Sequence, residues 1–294
     1  MLKYLSKNNA YGETYLKLTK EVLELNWEST AEKIKLFIKD YVEKVGANGV
    51  VMGISGGVDS STAAAISALA LGGNKVLGLI MPEKETYNEE DIEHAKLVAK
   101  TFGFETEIID ITNILNAFYS SIPTFKPKHN LSKGNIKART RMICIYYYAN
   151  LQNRIVVGSS DKSETMMGYF TKWGDVAADI SPLMDLYKTQ VRKLALHIGV
   201  PKEIAMKPSS PRLWPNQYAE EELGIKYEVL DLILYGLERF MEVDEIARQL
   251  KIDREIVEKI RRRWINNEHK RRMPLTVKLG YRTVGADSRL PITL

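Results

Sequence analysis

Six consecutive residues, Ser55-Gly56-Gly57-Val58-Asp59-Ser60, combine two glycines, two hydroxyls and a carboxylate. A short apolar run, residues 49–54, precedes them, and an alanine-rich run, residues 60–71, follows. Strand, turn and helix in that order let a backbone approach an anion, because the glycines allow the turn and the helix offers unpaired N–H groups. Ser55 and Ser60 add hydroxyl donors. Asp59 would repel a phosphate unless a divalent cation stood between them, which points to magnesium. The plainer reading is an aspartate helix cap after a glycine turn. No Gly-Lys-Ser/Thr ending supplies a loop lysine, and no second spaced glycine set marks a dinucleotide-binding turn.

The elements around this loop are legible from periodicity. Residues 75–81, 105–109 and 154–158 read as further buried strands. Residues 12–46 read as helices, with Ser29 and Thr30 as a cap, and residues 89–102 and 135–151 as two more. Strands and helices alternate with short connections, which is the pattern of a parallel sheet covered on both faces. Residues 120–134 and 161–181 read as active-site loops. Residues 200–222 contain four prolines and few periodic positions, a long excursion or lid. Segments 227–241, 243–250 and 253–266 read as terminal helices, and the tail after Pro274 as irregular. One α/β domain spanning 1–294, with helical additions at both ends, is the expected organisation.

The chain has 294 residues, 45% apolar and 27% charged, with a formal charge of +5. Its single cysteine, Cys144, excludes an intrachain disulfide and a cysteine-rich metal site. Cys144 sits in an apolar and aromatic run and reads as a buried structural thiol. The basic excess is densest from Lys259 to Arg272, either a solvated helix face or a partner for phosphate. No apolar run is long enough to cross a bilayer, and no secretory signal is evident, so the cytoplasm is the expected compartment.

Four segments together carry a resemblance. SGGVDS is similar to the loop of the ATP pyrophosphatase superfamily, which splits ATP into AMP and pyrophosphate while activating a carbonyl or carboxyl group. Gly134–Met142 (GNIKARTRM), Val157–Glu164 (VGSSDKSE) and Gly168–Asp175 with Asp179 and Leu186–Gln190 resemble the NAD synthetase family within it. The resemblance implies an adenine nucleotide alpha-hydrolase-like, Rossmann-like fold. It also implies amidation of deamido-NAD with ammonia, consuming ATP through an adenylylated carboxylate. Residue by residue, Gly53, Ile54, Ser55, Gly56, Gly57, Val58, Asp59 and Ser60 are the implied ATP phosphate site, with Ser159, Lys188 and Ser210. Asp59 and Glu164 are the implied Mg2+ ligands. Arg139, Lys172, Asp179, His269 and Lys270 are the implied deamido-NAD contacts.

Each role has a plainer alternative. Arg139 and Arg141 could be the wet face of a helix, Glu164 a helix cap, Lys188 an exposed lysine, and His269 and Lys270 members of a basic run. The stretch Pro208–Glu220 departs from the family pattern at Pro211, Arg212 and Tyr218, and Val176 occupies a glycine position. About 50 residues precede the loop, too few for a glutaminase domain, so free ammonia is the expected nitrogen source. A homodimer is expected, with at least one of Tyr146, Tyr147 and Tyr148 meeting the second subunit. Nucleic acid is not an expected partner. The competing classes are a tRNA-modifying ATP pyrophosphatase and a nucleotide-sensing protein with a degenerate site.

Overall fold

The computed structural model describes residues 17–284 and 287–288. In chain order the first half contains α1 (Trp27–Lys44), β1 (Gly49–Gly53), α2 (Val58–Leu71), β2 (Val76–Ile80), α3 (Glu89–Phe102), β3 (Glu105–Ile108), α4 (Thr112–Ser121), α5 (Asn130–Gln152) and β4 (Arg154–Val156). The second half is helical: α6 (Lys162–Met167), α7 (Lys188–His197), α8 (Lys202–Ala205), α9 (Ala219–Leu223), α10 (Tyr227–Glu238), α11 (Val243–Leu250), α12 (Arg254–Asn266) and α13 (Glu268–Arg271). The four strands form one parallel sheet in the order β3-β2-β1-β4.

Successive strand residues face opposite sides of the sheet, and the sequence fills both. Val50 and Met52 of β1 join a core with Ile38 of α1, Ala63–Ile66 of α2, Val98 of α3 and Leu194 of α7. Val51, Leu77 and Leu79 pack on the other face against Leu115 of α4 and Ala149 of α5. This is the doubly covered parallel sheet that the alternation predicts. Ala63, Ala64 and Ala65 are fully buried, so the alanine run of α2 is what lets that helix lie between the sheet and its helical neighbours. A third core unites Met166 and Met167 of α6, Tyr227 and Ile233 of α10, Ile246 of α11 and Val257 of α12.

The structure corrects several boundaries. Residues 12–16 of the first expected helix lie outside the described residues, and Lys20–Leu23 form only a short 3-10 turn. The cap of α1 is Asn26, whose side chain accepts from the Ser29 N–H, rather than Ser29 or Thr30. The expected loop 120–134 is shortened from both sides, by α4 and by the first turn of α5. Likewise α6 lies inside the expected loop 161–181, nucleated by Asp161, which caps it through the Glu164 N–H at 2.7 Å. Cys144 is half-buried rather than buried, and burial pushes its thiol pKa up.

Because α2 has no free volume at its centre, Ala64→Leu is expected to overpack the core. It should lower the unfolding free energy by about 1–3 kcal/mol, read as a reduced urea midpoint.

Candidate active site

At the carboxyl ends of β1 and β2 a cavity of about 310 Å³ opens. Such crevices are where parallel sheets place ligands. Its floor is the loop between β1 and α2. Gly56 has φ +75°, and a Cβ there would lie 2.2 Å from the Asp91 carbonyl oxygen, so only glycine permits this approach of loop to α3. The Ser60 hydroxyl accepts from the Ser55 N–H at 3.1 Å and lies 2.9 Å from the Ser55 hydroxyl. Gly57 caps α2 without a side-chain acceptor, so the first N–H groups of that helix face the cavity region unmasked.

Behind the loop lies a buried charged hub. Lys188 is fully buried, and its Nζ reaches Asp59 at 2.5 Å, Asp161 at 2.8 Å and Glu164 at 2.8 Å. Tyr227 donates its hydroxyl to Glu164 at 3.2 Å, and its ring lies 5.3 Å from the ammonium. Burial by itself would lower the Lys188 pKa, but the three carboxylates hold it well above the usual lysine value. Burial pushes Glu164 up to about 8, with Asp161 and Asp59 adding to the rise and Lys188 opposing it. Burial likewise pushes Asp161 up to about 6. Fully ionised, three carboxylates against one ammonium leave a negative excess. Donor atoms of Asp59, Asp161 and Glu164 lie within 4.8 Å of one another, and the Asp59 Oδ1 is buried with no hydrogen-bond partner among the described residues. An all-oxygen carboxylate set with an orphaned oxygen fits a hard divalent cation.

The opposite wall is formed by α5, and the cavity mouth by residues 207–213. Lys207 binds Asp91 at 2.7 Å and Glu90 at 3.1 Å, and Arg212 binds Asp91 at 2.5 Å. Within the expected lid, α8 and α9 occupy the two ends, and the irregular stretch between them borders the cavity. Ser210 lines the cavity, although its hydroxyl donates to the Gln217 carbonyl at 2.5 Å.

The implied ATP residues therefore converge. Gly53, Ile54, Ser55, Gly57, Val58, Asp59, Ser60, Ser159 and Ser210 all line this cavity, as does Glu164. Gly56 and Lys188 stand just behind it. The implied deamido-NAD residues do not line it. Four of them form a neighbouring group: Arg139 donates to the Lys172 carbonyl at 3.1 Å, and the Lys172 ammonium donates to the His269 carbonyl at 2.6 Å. Lys270 donates to the carbonyls of Gly168 and Phe170, and the His269 ring contacts the Asn266 carbonyl. Asp179 stands apart, accepting from the Val156 N–H at 2.8 Å and the Tyr146 hydroxyl at 3.4 Å. The basic run near the end divides: Arg263 and Arg271 donate to carbonyls of α6, while Lys259, Arg261, Arg262 and Arg272 are exposed.

The comparisons with known proteins agree with this geometry. The NAD synthase family profile matches residues 30–274. The chain belongs to the NAD synthase family. It is similar to the NH3-dependent NAD(+) synthetase of Methanocaldococcus jannaschii, 49% identical over 254 residues, which cover 86% of this chain and 97% of that one. It is also similar to two solved structures. The NMN synthetase from Francisella tularensis shares 33% identity with a TM-score of 0.77, covering 87% of this chain and 100% of that one. The NH3-dependent NAD synthetase from Campylobacter jejuni shares 30% identity with a TM-score of 0.73, again covering 87% and 100%.

Two members of this NAD synthase hub escape a reading by motif roles alone. Asp161 completes the carboxylate trio, and its spacing before Glu164 is that of a helix cap, a signal present in the sequence. Tyr227 lies 63 residues beyond Glu164, and no local pattern connects them. Replacing Lys188 with Met would leave buried carboxylates without their ammonium. Such a change is expected to cost about 3–5 kcal/mol, measured by urea denaturation.

Proposed function

We propose that this chain makes NAD from deamido-NAD, ammonia and ATP, releasing AMP and diphosphate. The observation that carries the reading is a single cavity, in a member of the NAD synthase family, where a glycine-rich phosphate loop meets the Asp59–Asp161–Glu164–Lys188 hub. The nicotinate carboxylate oxygen attacks the α-phosphorus of ATP, and the bond to the diphosphate breaks. Ammonia then attacks the acyl carbon, AMP leaves, and the nitrogen loses a proton. The first step brings a carboxylate against a polyanion and the second builds negative charge on the acyl oxygen and the leaving AMP, so they need fixed positive charge and fixed N–H donors more than a nucleophilic side chain.

The loop residues Gly53–Ser60, with Ser159 and Ser210, are proposed to hold ATP. Lys188 anchors the carboxylates that would hold Mg2+, chiefly Asp59 and Glu164; bound there, the cation offsets the charge of the triphosphate. Arg139, Lys172, Asp179, His269 and Lys270 are proposed to serve deamido-NAD. The existing partners of Lys172, Lys270 and Asp179 mean that those contacts would use lysine N–H groups and carboxylate lone pairs left over, or exchange present ones. The whole of 1–294 is proposed to work as one synthetase domain in the cytoplasm. Ammonia as the direct nitrogen source is supported by the near-complete coverage of relatives named NH3-dependent. Half-burial of Cys144 in α5, where it is not among the residues that line the cavity, agrees with a structural rather than a nucleophilic cysteine.

Turnover is best followed as AMP release dependent on added substrate. Deamido-NAD should support it; strong preference for nicotinate mononucleotide would instead favour an activity like that named for the Francisella protein. Asp59→Asn and Glu164→Gln should each cut kcat by about 10²-fold or more in a protein that still folds by circular dichroism. The double mutant should lose less than the product of the two if the residues share one ion. Normal turnover by either variant at low Mg2+ would remove it from the metal site.

A homodimer through α5 is also proposed. Ile143, Tyr147 and Leu151 recur every four residues on one helical face and are 55%, 61% and 64% exposed. Ile114 and Phe118 of α4, which packs on α5, are also exposed. Tyr147→Lys should therefore shift sedimentation toward monomer at assay concentration; an unchanged sedimentation coefficient would place the interface elsewhere.

A further inference from the structure

Three cations line the active cavity: Lys207, Arg212 and Arg141. The first two are bound by carboxylates of α3. Arg141 differs. Its Nε donates to the Met81 carbonyl at 3.2 Å, and among the described residues no carboxylate lies within ion-pair distance of its guanidinium. The acids that influence it most, Glu83 and Asp175, are engaged elsewhere. Glu83 binds Lys137 at 2.5 Å and accepts from the N–H groups of Glu85 and Thr86, and Asp175 accepts from the Thr171 N–H at 2.8 Å.

A half-buried guanidinium without an anionic partner is poorly compensated. Burial lowers the pKa of Arg141, yet an arginine keeps its charge. The bond from Nε to a fixed backbone carbonyl holds the fork in one orientation, and its terminal N–H groups are left for the cavity. Position adds to this. One helical turn further along α5, Ile145 packs over Gly53, where a Cβ would lie 3.4 Å from its Cδ1. Arg141 therefore stands beyond the ends of β1 and β2. It lines the same cavity as the phosphate loop and the Gly174–Asp175 segment, which follows Lys172 of the Arg139–Lys172 group.

We propose that Arg141 binds the oxyanion at the reacting centre, where the carboxylate and the α-phosphate must meet. This rests on the reaction proposed above. A planar fork of N–H donors suits either group, so the oxyanion is the nicotinate carboxylate of deamido-NAD or the α-phosphate of ATP. Arg139, two residues earlier, points to a different surface and is satisfied by a backbone carbonyl. The motif that carries both arginines thus serves two separate places.

The test uses the full chain carrying Arg141→Met, Arg141→Gln or Arg141→Lys. Folding is checked by circular dichroism, kinetics by AMP release, and affinity by calorimetry with ATP, AMP, deamido-NAD and NAD. Arg141→Met should lose about 10²- to 10³-fold in kcat/KM, and Arg141→Lys should recover only part, because it restores charge without the fork. NAD differs from deamido-NAD by a carboxamide in place of the carboxylate. If the arginine receives that carboxylate, the wild-type preference for deamido-NAD over NAD shrinks by about 10- to 100-fold and AMP affinity stays constant. If it receives the α-phosphate, ATP and AMP weaken by a similar factor and the preference is kept. Should Arg141→Met not fold, Arg141→Gln, which retains an N–H donor for Met81, carries the same comparison. A folded Met or Gln variant with wild-type kcat, KM and affinities overturns the proposal. A wild-type protein without deamido-NAD-dependent AMP release would instead overturn the proposed reaction, while ATP affinity would still report on the arginine.

Discussion

One ammonium group organises the working half of this protein. Lys188 is the first residue of α7, an end of a helix whose dipole disfavours a cation, and it is fully buried there. It is tolerated because Asp59 from the start of α2, Asp161 from the cap of α6 and Glu164 from α6 converge on it. The pair Lys188–Asp59 spans 129 residues of sequence. Each carboxylate would be expensive to bury without the ammonium, and the ammonium without them. Phosphate loop, capped turn and C-terminal helices are therefore held together by mutual necessity.

A supporting network fixes this hub from below. Asp231 of α10 accepts from the Ser163 hydroxyl at 2.6 Å and from the Thr189 N–H and hydroxyl at 2.9 and 2.7 Å. The Ser163 hydroxyl in turn accepts from the Lys188 N–H at 2.9 Å. Burial pushes Asp231 up to about 6, and these hydrogen bonds oppose the rise. The helical C-terminal half is thus the wall that locks α6 and α7 in register, so that the carboxylates face the loop.

The cavity is electrically asymmetric. Carboxylates and one buried lysine lie on the α6–α7 side, while an arginine without an acidic partner among the described residues lies on the α5 side. An incoming nucleotide would meet fixed N–H groups at the loop, carboxylates suited to a divalent cation behind it, and a guanidinium across from it. At the mouth, Lys207 and Arg212 share Asp91, so the irregular stretch after α8 is tied to α3 by charge. Arg212 adopts φ +47° there, a left-handed conformation that the paired guanidinium helps to hold.

The sequence by itself determined the local decisions: which runs become strands, that a glycine turn precedes α2, and that α2 must pack closely. It also carried the phosphate-loop chemistry, because those residues are contiguous and their spacing is set by one turn. What lay beyond it was every relation across distance. Tyr227 and Asp231 carry no local signature of a site, since their roles exist only when α10 lies against α6 and α7. Arg139 and Arg141 look equivalent in the chain, two residues apart on one helix. Only packing decides that one meets a backbone carbonyl at the surface while the other faces the cavity. Periodicity says which face of a helix is apolar, but the identity of the neighbour is set by how the sheet and the helical layers close around a common core.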